Sequence, residues 1–359
     1  MNEKINNIIL CFDNSDLSLQ ASEAALDIAV ALGSEVVGVH AYNAFMHEGA
    51  FRIMEPTLPE AYQKEEILQK QRTVHSTLIN VGMEKISLSY LKPVEDSFQS
   101  AGVSFRPKVV EGKNYSVINA VLREEDGDLV MIGSSGFNGN GTGFIGSVCS
   151  RVLRNNDKNF LIVRKHIDLR QPKFVVCLDG SSSSINALKM ADLFAGKFGA
   201  GIHLVYGFDS ELHKNLFMRL KESVINREGF SFNSKQQEKI HDEFIDKGLA
   251  RVGNMILDKA EKEVIDAEHR AQSTDIGKGW GLVGEIDRAP FVKKVLEGHI
   301  YKRICDYASE INADMIFIGR NGRHFSEGMD IGSVTENVVR FAPCSIFVSQ
   351  SEKYKGWEL

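Results

Sequence analysis

The sequence predicts an α/β protein built from two tandem doubly wound domains, residues 1–168 and 169–359. Two observations support this prediction: the chain contains an internal repeat, and within each repeat short apolar runs alternate with segments of helical periodicity. Strand–helix–strand alternation is typical of crossover units, in which helices cover both faces of a parallel sheet. A length of 359 residues also fits two domains of ordinary size.

The repeat is clearest in the apolar runs and the residues that follow them. The first predicted strand is followed by Asp13 in one repeat and by Asp179 in the other. The matching segments are 8–15 with 174–181, 36–42 with 202–208, 109–112 with 295–298, and 128–133 with 314–319. Their offset rises from 166 to 186, so the second repeat carries about twenty extra residues, expected within 210–290. The polar stretch 165–173 marks the boundary between the repeats.

The composition narrows the class of protein. The net charge is −6 and the isoelectric point is near 6.0, which argues against a nucleic-acid partner. No apolar run is long enough to span a membrane, and the first ten residues lack the apolar core of a signal peptide. We therefore expect a cytoplasmic protein.

The five cysteines are scattered through the chain and have no ligand-like spacing. They are Cys11, Cys149, Cys177, Cys305 and Cys344. The favoured interpretation is buried thiols, and the alternative is a redox or metal role. The ten histidines are dispersed as well, so we expect no metal site.

A glycine pattern follows the fourth predicted strand in both repeats, where it reads G-x2-G-x9-G-S. The glycines are Gly133, Gly136 and Gly146 in the first repeat and Gly319, Gly322 and Gly332 in the second. Glycines let backbone N–H groups approach a single anion closely. Ser147 and Ser333 would begin helices, whose N-termini favour phosphate. The sequence therefore predicts polyphosphate sites at the carboxyl ends of the strands.

One such pattern alone could be a turn before a capped helix. Its occurrence in both repeats, each time with a strand-end aspartate, favours a ligand site. Two G-x-G-x-x-G matches, 141–146 and 279–284, lack the strand and helix that a dinucleotide site requires, and no Walker motif is present.

These residues give the chain its resemblance to a known family. Both halves resemble universal stress protein domains, and the whole chain resembles a tandem member of that family. The resemblance implies five-stranded parallel sheets of the Rossmann-like, adenine nucleotide alpha hydrolase-like type. It also implies that domains pair through their last strands, here 160–163 and 346–348, as an internal pseudo-dimer or as a homodimer.

The resemblance further implies ATP, ADP or AMP as the ligand, with or without Mg²⁺. Asp13 and Asp179 would then meet the ribose, and the backbone near Ala41 and Gly207 would meet adenine. The residues that would cradle the phosphates are Gly133, Gly136, Gly146 and Ser147 in the first repeat, and Gly319, Gly322, Gly332 and Ser333 in the second.

The two sites differ in sequence. The second repeat adds Arg320, Arg323 and His324, which could neutralise phosphate charge. The first repeat has no basic residue in its nine-residue stretch, and five glycines within 136–146 would lose entropy on ordering. We therefore expect the second repeat to be the stronger site.

The extra segment of the second repeat carries a helical pattern over 240–264, followed by a predicted loop over 272–289. This helix is interpreted as packing on the sheet, with an amphipathic interaction face as the alternative.

The leading functional hypothesis is an ATP-binding stress-response regulatory protein. The alternatives are a nucleotide-independent scaffold or dimerisation module and a weak ATPase or phosphotransferase. No nucleophile–base set is evident, so no catalytic residue is assigned. The sequence does not identify a protein partner.

Overall fold

The computed structural model describes residues 4–136, 145–210, 219, 246–273, 291–323 and 331–350. The chain divides into two compact units, one spanning 2–166 and the other spanning 167–359 together with Met1. Each unit contains a five-stranded parallel sheet, as the sequence predicts.

In the N-terminal unit the strand order is β3-β2-β1-β4-β5, and all four neighbouring pairs are parallel. The strands are β1 (Asn7–Cys11), β2 (Glu35–Tyr42), β3 (Phe105–Glu111), β4 (Leu129–Gly133) and β5 (Asn159–Val163). The helices are α1 (Asp16–Leu32), α2 (Phe45–Met54), α3 (Glu65–Ser100), α4 (Asn114–Glu124) and α5 (Ser147–Asn155).

In the C-terminal unit the order is β8-β7-β6-β9-β10, again with parallel pairs throughout. The strands are β6 (Lys173–Cys177), β7 (Gly201–Phe208), β8 (Val292–Glu297), β9 (Met315–Gly319) and β10 (Ser345–Ser349). The described helices are α6 (Ser182–Phe198), α7 (Asp246–Ser273), α8 (Ile300–Glu310) and α9 (Ser333–Phe341).

The first helix of each unit is delimited in the same way. Ser15 and Ser181 cap α1 and α6 by accepting a hydrogen bond from the N–H three residues on. Gly33 and Gly199 end these helices in the left-handed conformation, which glycine adopts without steric cost. Each helix therefore begins directly after the strand-end aspartate of its repeat.

Continuous apolar runs are typical of strands that are buried on both faces, but the third strand of each unit departs from this pattern. β3 and β8 are edge strands, and most of their residues are only half-buried or exposed. Cationic side chains occupy them: Lys108 pairs with Glu125, and Lys293 pairs with Asp258. Charged edge strands discourage pairing with other chains, which explains why these strands are not purely apolar.

The structure narrows the position of the extra residues in the second repeat. Leu91, Val94 and Phe98 are the buried positions near the end of α3. In α7, Leu257, Ala260 and Val264 are buried, each 166 positions further on. The smaller offset thus persists to Val264, and the insertion falls between this residue and β8. The helix reaches Ser273, so it includes the first residues of the predicted loop, while 211–218, 220–245 and 274–290 lie outside the described residues.

The five cysteines are all buried thiols that form no disulfide, as expected for packing residues. Burial raises the pKa of Cys11 and of Cys149 to about 12 and that of Cys177 well above its usual value. A thiol is nucleophilic only as the thiolate, so these three groups are unreactive at neutral pH. None of the described helices is long and apolar enough to cross a membrane.

Four phenylalanines form the centre of the C-terminal unit. The ring of Phe317 lies 5.0 Å from Phe174, 5.0 Å from Phe347 and 5.8 Å from Phe194. All four side chains are inaccessible to solvent, so burial and ring–ring contact stabilise this sheet together.

Replacing the central ring should destabilise the C-terminal unit strongly. We expect Phe317→Ala to lower its free energy of unfolding by about 3–5 kcal/mol, because a cavity remains where the ring was. Urea denaturation of the full chain measures this change. Phe341→Ala, at a ring that is 48% exposed, is the control and should cost less than about 1 kcal/mol. Equal losses in the two variants would contradict this account of the core.

Candidate functional site

The candidate site of each unit lies where the strand order reverses. In the N-terminal unit β1 has β2 on one side and β4 on the other, and β6 has the same position between β7 and β9. The crossovers leave this point in opposite directions, which opens a crevice beyond the carboxyl ends of the strands. Asp13 and Asp179 follow β1 and β6 at this crevice.

The Asp13 carboxylate is held by the turn that follows it. Its Oδ1 accepts from the Ser15 N–H at 3.1 Å and from the Ser15 hydroxyl at 2.5 Å. Asn14 between them has a φ of 61°, a conformation that asparagine tolerates better than most residues. A Cβ on Gly136 would lie 2.6 Å from Asp13 Oδ2, so the carboxylate faces the second glycine of the loop.

Asp179 has the same position in the C-terminal unit, and both of its oxygens are engaged. Oδ1 accepts from the Ser181 N–H at 2.9 Å, and Oδ2 accepts from the Arg323 N–H at 3.1 Å. A Cβ on Gly322 would lie 2.9 Å from Oδ2. The strand-end aspartate and the second glycine of the loop therefore meet in both repeats.

The third glycine of each pattern closes the loop on itself. The Gly146 N–H donates to the Ser134 carbonyl at 2.6 Å, and the Gly332 N–H donates to the Arg320 carbonyl at 3.0 Å. A Cβ on Gly146 would lie 3.1 Å from the Ser135 Cα, which explains why glycine is needed there. The first and last residues of the loop are therefore close together in both units.

Helices α5 and α9 begin directly after these glycines, at Ser147 and Ser333. Their N-caps, Gly146 and Gly332, have no side chain that could accept from the first turn. The first N–H groups of a helix lack intrahelical partners and carry partial positive charge. Both helix N-termini therefore offer donors to an anion at the same edge as the aspartates.

A set of hydroxyl groups anchors the glycine loop of the second repeat. The Ser183 hydroxyl donates to the Asn321 carbonyl and accepts from the Asn321 N–H at 3.3 Å. The Thr335 hydroxyl donates to the Gly319 carbonyl at 2.7 Å, and the Ser349 hydroxyl donates to the Ser183 carbonyl at 2.6 Å. Sequence reasoning missed these residues, although the serine run 181–184 is visible in the sequence.

The corresponding positions in the first repeat carry no hydroxyl. By the repeat offsets, Leu17 stands in place of Ser183, Cys149 in place of Thr335 and Val163 in place of Ser349. A Cβ on Gly133 would meet the Leu17 Cβ at 3.0 Å. The start of the first loop therefore packs against apolar groups where the second is held by hydrogen bonds.

The two arginines of the second loop have different surroundings. Arg323 is exposed, and its guanidinium lies over Gly180: a Cβ there would be 2.2 Å from Arg323 Nη2. Gly180 also has a φ of 78°, a left-handed conformation that glycine adopts without steric cost. Arg320 is only 3% exposed, which places its charge inside the unit and leaves Arg323 as the accessible cation.

The predicted adenine side lies at the ends of β2 and β7. Ala41 is half-buried, and Gly207 approaches α8 closely, because a Cβ on it would lie 2.7 Å from Ile300 Cγ2. Beside them, His40 and Tyr206 occupy matching positions. Tyr206 packs on Gly253 of α7, where a Cβ would lie 2.4 Å from its ring.

Parts of both loops lie outside the described residues. These parts are 137–144 in the first repeat and 324–330, with His324, in the second. Among the described residues, no group of three histidine, cysteine, aspartate or glutamate side chains is arranged to hold a metal ion.

Comparison with known proteins agrees with this architecture. The model of the universal stress protein family matches the chain twice, over residues 4–164 and 172–350. A universal stress protein of Methanocaldococcus jannaschii, MJ0531, is 25% identical over 163 residues, which is 44% of this chain and 81% of that protein. A putative universal stress protein of Staphylococcus aureus is 46% identical over 46 residues, 13% of this chain and 28% of that protein.

Among solved structures, a universal stress protein from Archaeoglobus fulgidus aligns with a TM-score of 0.55 and 17% identity. The alignment covers 98% of this chain and 100% of that one. A putative universal stress protein from Pseudomonas aeruginosa aligns with a TM-score of 0.52 and 14% identity, over 96% of this chain and 93% of that one. Two tandem Rossmann-like units therefore define the class of the protein, and the twofold family match makes this chain a tandem member of the universal stress protein family.

The titration of His40, which lies beside the first-repeat site, should make the stability of the folded chain depend on pH. Its Nδ1 lies 2.8 Å from the Phe12 carbonyl, and burial holds the pKa of His40 below its usual value. The unfolded chain therefore takes up this proton first, and stability should fall as pH drops through about 6.5. His40→Asn keeps a donor near Nδ1 and cannot titrate, so it should lose less stability between about pH 7.5 and pH 5.5. Urea denaturation measures both slopes, and identical slopes would contradict the assignment.

The glycine loop of the second repeat should tolerate a methyl group less well than that of the first. A Cβ on Gly319 would lie 2.6 Å from the Ser184 backbone nitrogen, whereas on Gly133 it would meet a side-chain atom of Leu17 at 3.0 Å. We expect Gly319→Ala to cost about 1–3 kcal/mol of stability and Gly133→Ala to cost less, because the added methyl group would overlap more deeply with the atoms around Gly319. Thermal unfolding of the two variants tests the order, and a reversed order would refute it.

Proposed function

We propose that the chain is a cytoplasmic regulatory protein that binds an adenine nucleotide (ATP, ADP or AMP) at the carboxyl ends of β6 and β9. The observation that carries the proposal is the contact between Asp179 and the glycine loop, which places a carboxylate, loop N–H groups and an uncapped helix N-terminus at one edge. The same arrangement around Asp13 is the second, weaker site.

Asp179 suits a sugar because its carboxylate is oriented and keeps acceptor capacity. A carboxylate offers about four lone-pair sites. The Ser181 and Arg323 N–H groups occupy two of them. The remaining capacity matches the two hydroxyls of a ribose, which are donors at adjacent carbons. The backbone near Gly207 would then meet the adenine edge, as the family resemblance implies.

The phosphates would lie over Gly319, Gly322 and Gly332, against the first turn of α9 at Ser333. The dipole of α9 and the exposed Arg323 supply positive charge there, and Mg²⁺ would be carried by the phosphates because that ion usually keeps several waters. Gly133, Gly136, Gly146 and Ser147 would have the same role in the first repeat.

The hydrogen bonds that the Ser183 and Thr335 hydroxyls make to the glycine loop are the reason to place the stronger site in the second repeat. A loop already held by Ser183 and Thr335 loses less conformational freedom on binding than one that must be ordered by the ligand. Binding would then fix the remaining loop residues and change the surface offered to a partner, which is the proposed regulatory event.

Titration calorimetry of the full chain with ATP, ADP and AMP, with and without Mg²⁺, tests the proposal. We expect Asp179→Asn to weaken binding by about tenfold or more, because an amide cannot accept both backbone N–H groups and the ribose hydroxyls. Ser183→Ala should weaken binding less, by releasing the loop. Neither change should unfold the chain, which thermal unfolding checks.

Asp13→Asn is the matched control in the first repeat and should leave the tighter binding event unchanged. GTP is the control for the base. An absence of binding by the wild-type chain would refute nucleotide binding altogether. Loss of the tighter event in Asp13→Asn but not in Asp179→Asn would refute the assignment to the second repeat.

A further inference from the structure

Helix α3 extends well beyond the sheet on which it packs. The residues it buries near its C-terminal end are Ser87, Leu91, Val94 and Phe98, and of its first twenty residues only Leu68 is buried. The helix spans 36 residues, and its ring contacts with β2 and β3 are those of Tyr90 with His40 and of Phe98 with Phe105. The N-terminal half of α3 is therefore an arm with no sheet beneath it.

The arm carries apolar side chains on its outer face. Val74, Leu78 and Val81 are 54%, 68% and 44% exposed, and Leu88 continues the same line. Their spacing of four, three and seven residues is the seam of a coiled coil, in which apolar residues recur every 3.5 positions. The seam is completed at the same spacing by Ile67, Gln71 and Lys85.

The neighbouring helix α2 packs on another face of the arm. The ring of Phe51 stacks on His75 with centroids 4.3 Å apart, and Glu55 pairs with Arg72 at 2.6 Å. Neither His75 nor Arg72 belongs to the seam, and the high exposure of Val74 and Leu78 shows that α2 leaves it open. Contiguous exposed apolar residues of this kind mark interaction surfaces.

We propose that this seam, residues 67–88 of α3, binds the same seam of a second copy of the chain as an antiparallel helix pair centred near Thr77. In this register Val74 packs against Leu78 of the second copy, and the contact occurs twice by symmetry. Val81 packs against Gln71 of the second copy, again twice.

Charge complementarity favours a second copy of the chain as the partner, and it favours the antiparallel orientation of the two helices. Lys70 and Glu84 flank the seam on its exposed side, seven residues before and after Thr77. Antiparallel pairing places Lys70 of one copy beside Glu84 of the other, twice. A parallel pair would instead bring Lys85 against Lys85 of the second copy inside the seam, which like-charge repulsion and burial disfavour.

The pairing is expected to be weak. The helix is already formed, so association does not have to order the backbone, but the seam has only two fully apolar layers. Sedimentation equilibrium over a range from micromolar to several hundred micromolar should therefore show a monomer–dimer equilibrium. Leu78→Glu should weaken it by about tenfold or more, because a buried leucine contact is lost on both copies.

A charge swap tests the register. Glu84→Lys should weaken dimerisation by roughly threefold to tenfold, since two attractive pairs become repulsive. The double variant Lys70→Glu with Glu84→Lys should restore it. All these side chains are exposed, so thermal unfolding should be unchanged.

Crosslinking tests the symmetry. The five native cysteines are buried, so a short bis-maleimide should join Thr77→Cys to itself between chains. Ser89→Cys is the control, because antiparallel pairing would separate its two copies by about 36 Å.

Three results would overturn the proposal. A chain that stays monomeric at the highest concentration would do so, as would a dimer insensitive to both Leu78→Glu and Glu84→Lys. The third is a monomer destabilised by Leu78→Glu, because the seam would then be covered within the chain.

Discussion

The contact between a strand-end carboxylate and a glycine loop is the constraint on which each site depends. Asp13 and Asp179 sit where the strand order reverses, and the second glycine of each loop passes directly against the carboxylate. A side chain on Gly136 or Gly322 would occupy the place of a carboxylate oxygen. The close approach brings the loop, the start of the next helix and the end of the first strand to one edge of the sheet.

The two units share this contact but differ in what supports it. In the second repeat, hydroxyls of Ser183, Thr335 and Ser349 link the loop, α9 and β10 to the start of α6. Leucine, cysteine and valine stand at the matching positions of the first repeat, where only packing is available. Hydrogen bonds fix direction as well as distance, whereas apolar contacts tolerate sliding. Duplication followed by such divergence yields one loop held by side-chain hydrogen bonds and one whose start packs against apolar groups.

Sequence patterns predicted more of the fold than of the site. The apolar runs and the strand-end aspartates depend on neighbours within a few residues, and they lie where the pattern placed them. The exposure of the edge strands β3 and β8 could not be predicted, because strand order is not visible in a local run. The hydrogen bonds from serine and threonine hydroxyls to the second loop were missed, because Ser183 and Asn321 are 138 positions apart and serine is common in turns. The sequence also could not predict the burial of Arg320 or the position of Arg323 over Gly180.

What the sequence by itself determined is the duplication, the alternation of strands and helices, and the residue types that meet at the carboxyl ends of the strands. These properties follow from periodicity and from the conformational freedom of glycine, which are local. Only the tertiary structure decided which loop is anchored, which arginine is accessible and which face of α3 stays uncovered. Those outcomes depend on contacts between residues far apart in the chain, and the energy of such contacts is set by distance and burial in three dimensions.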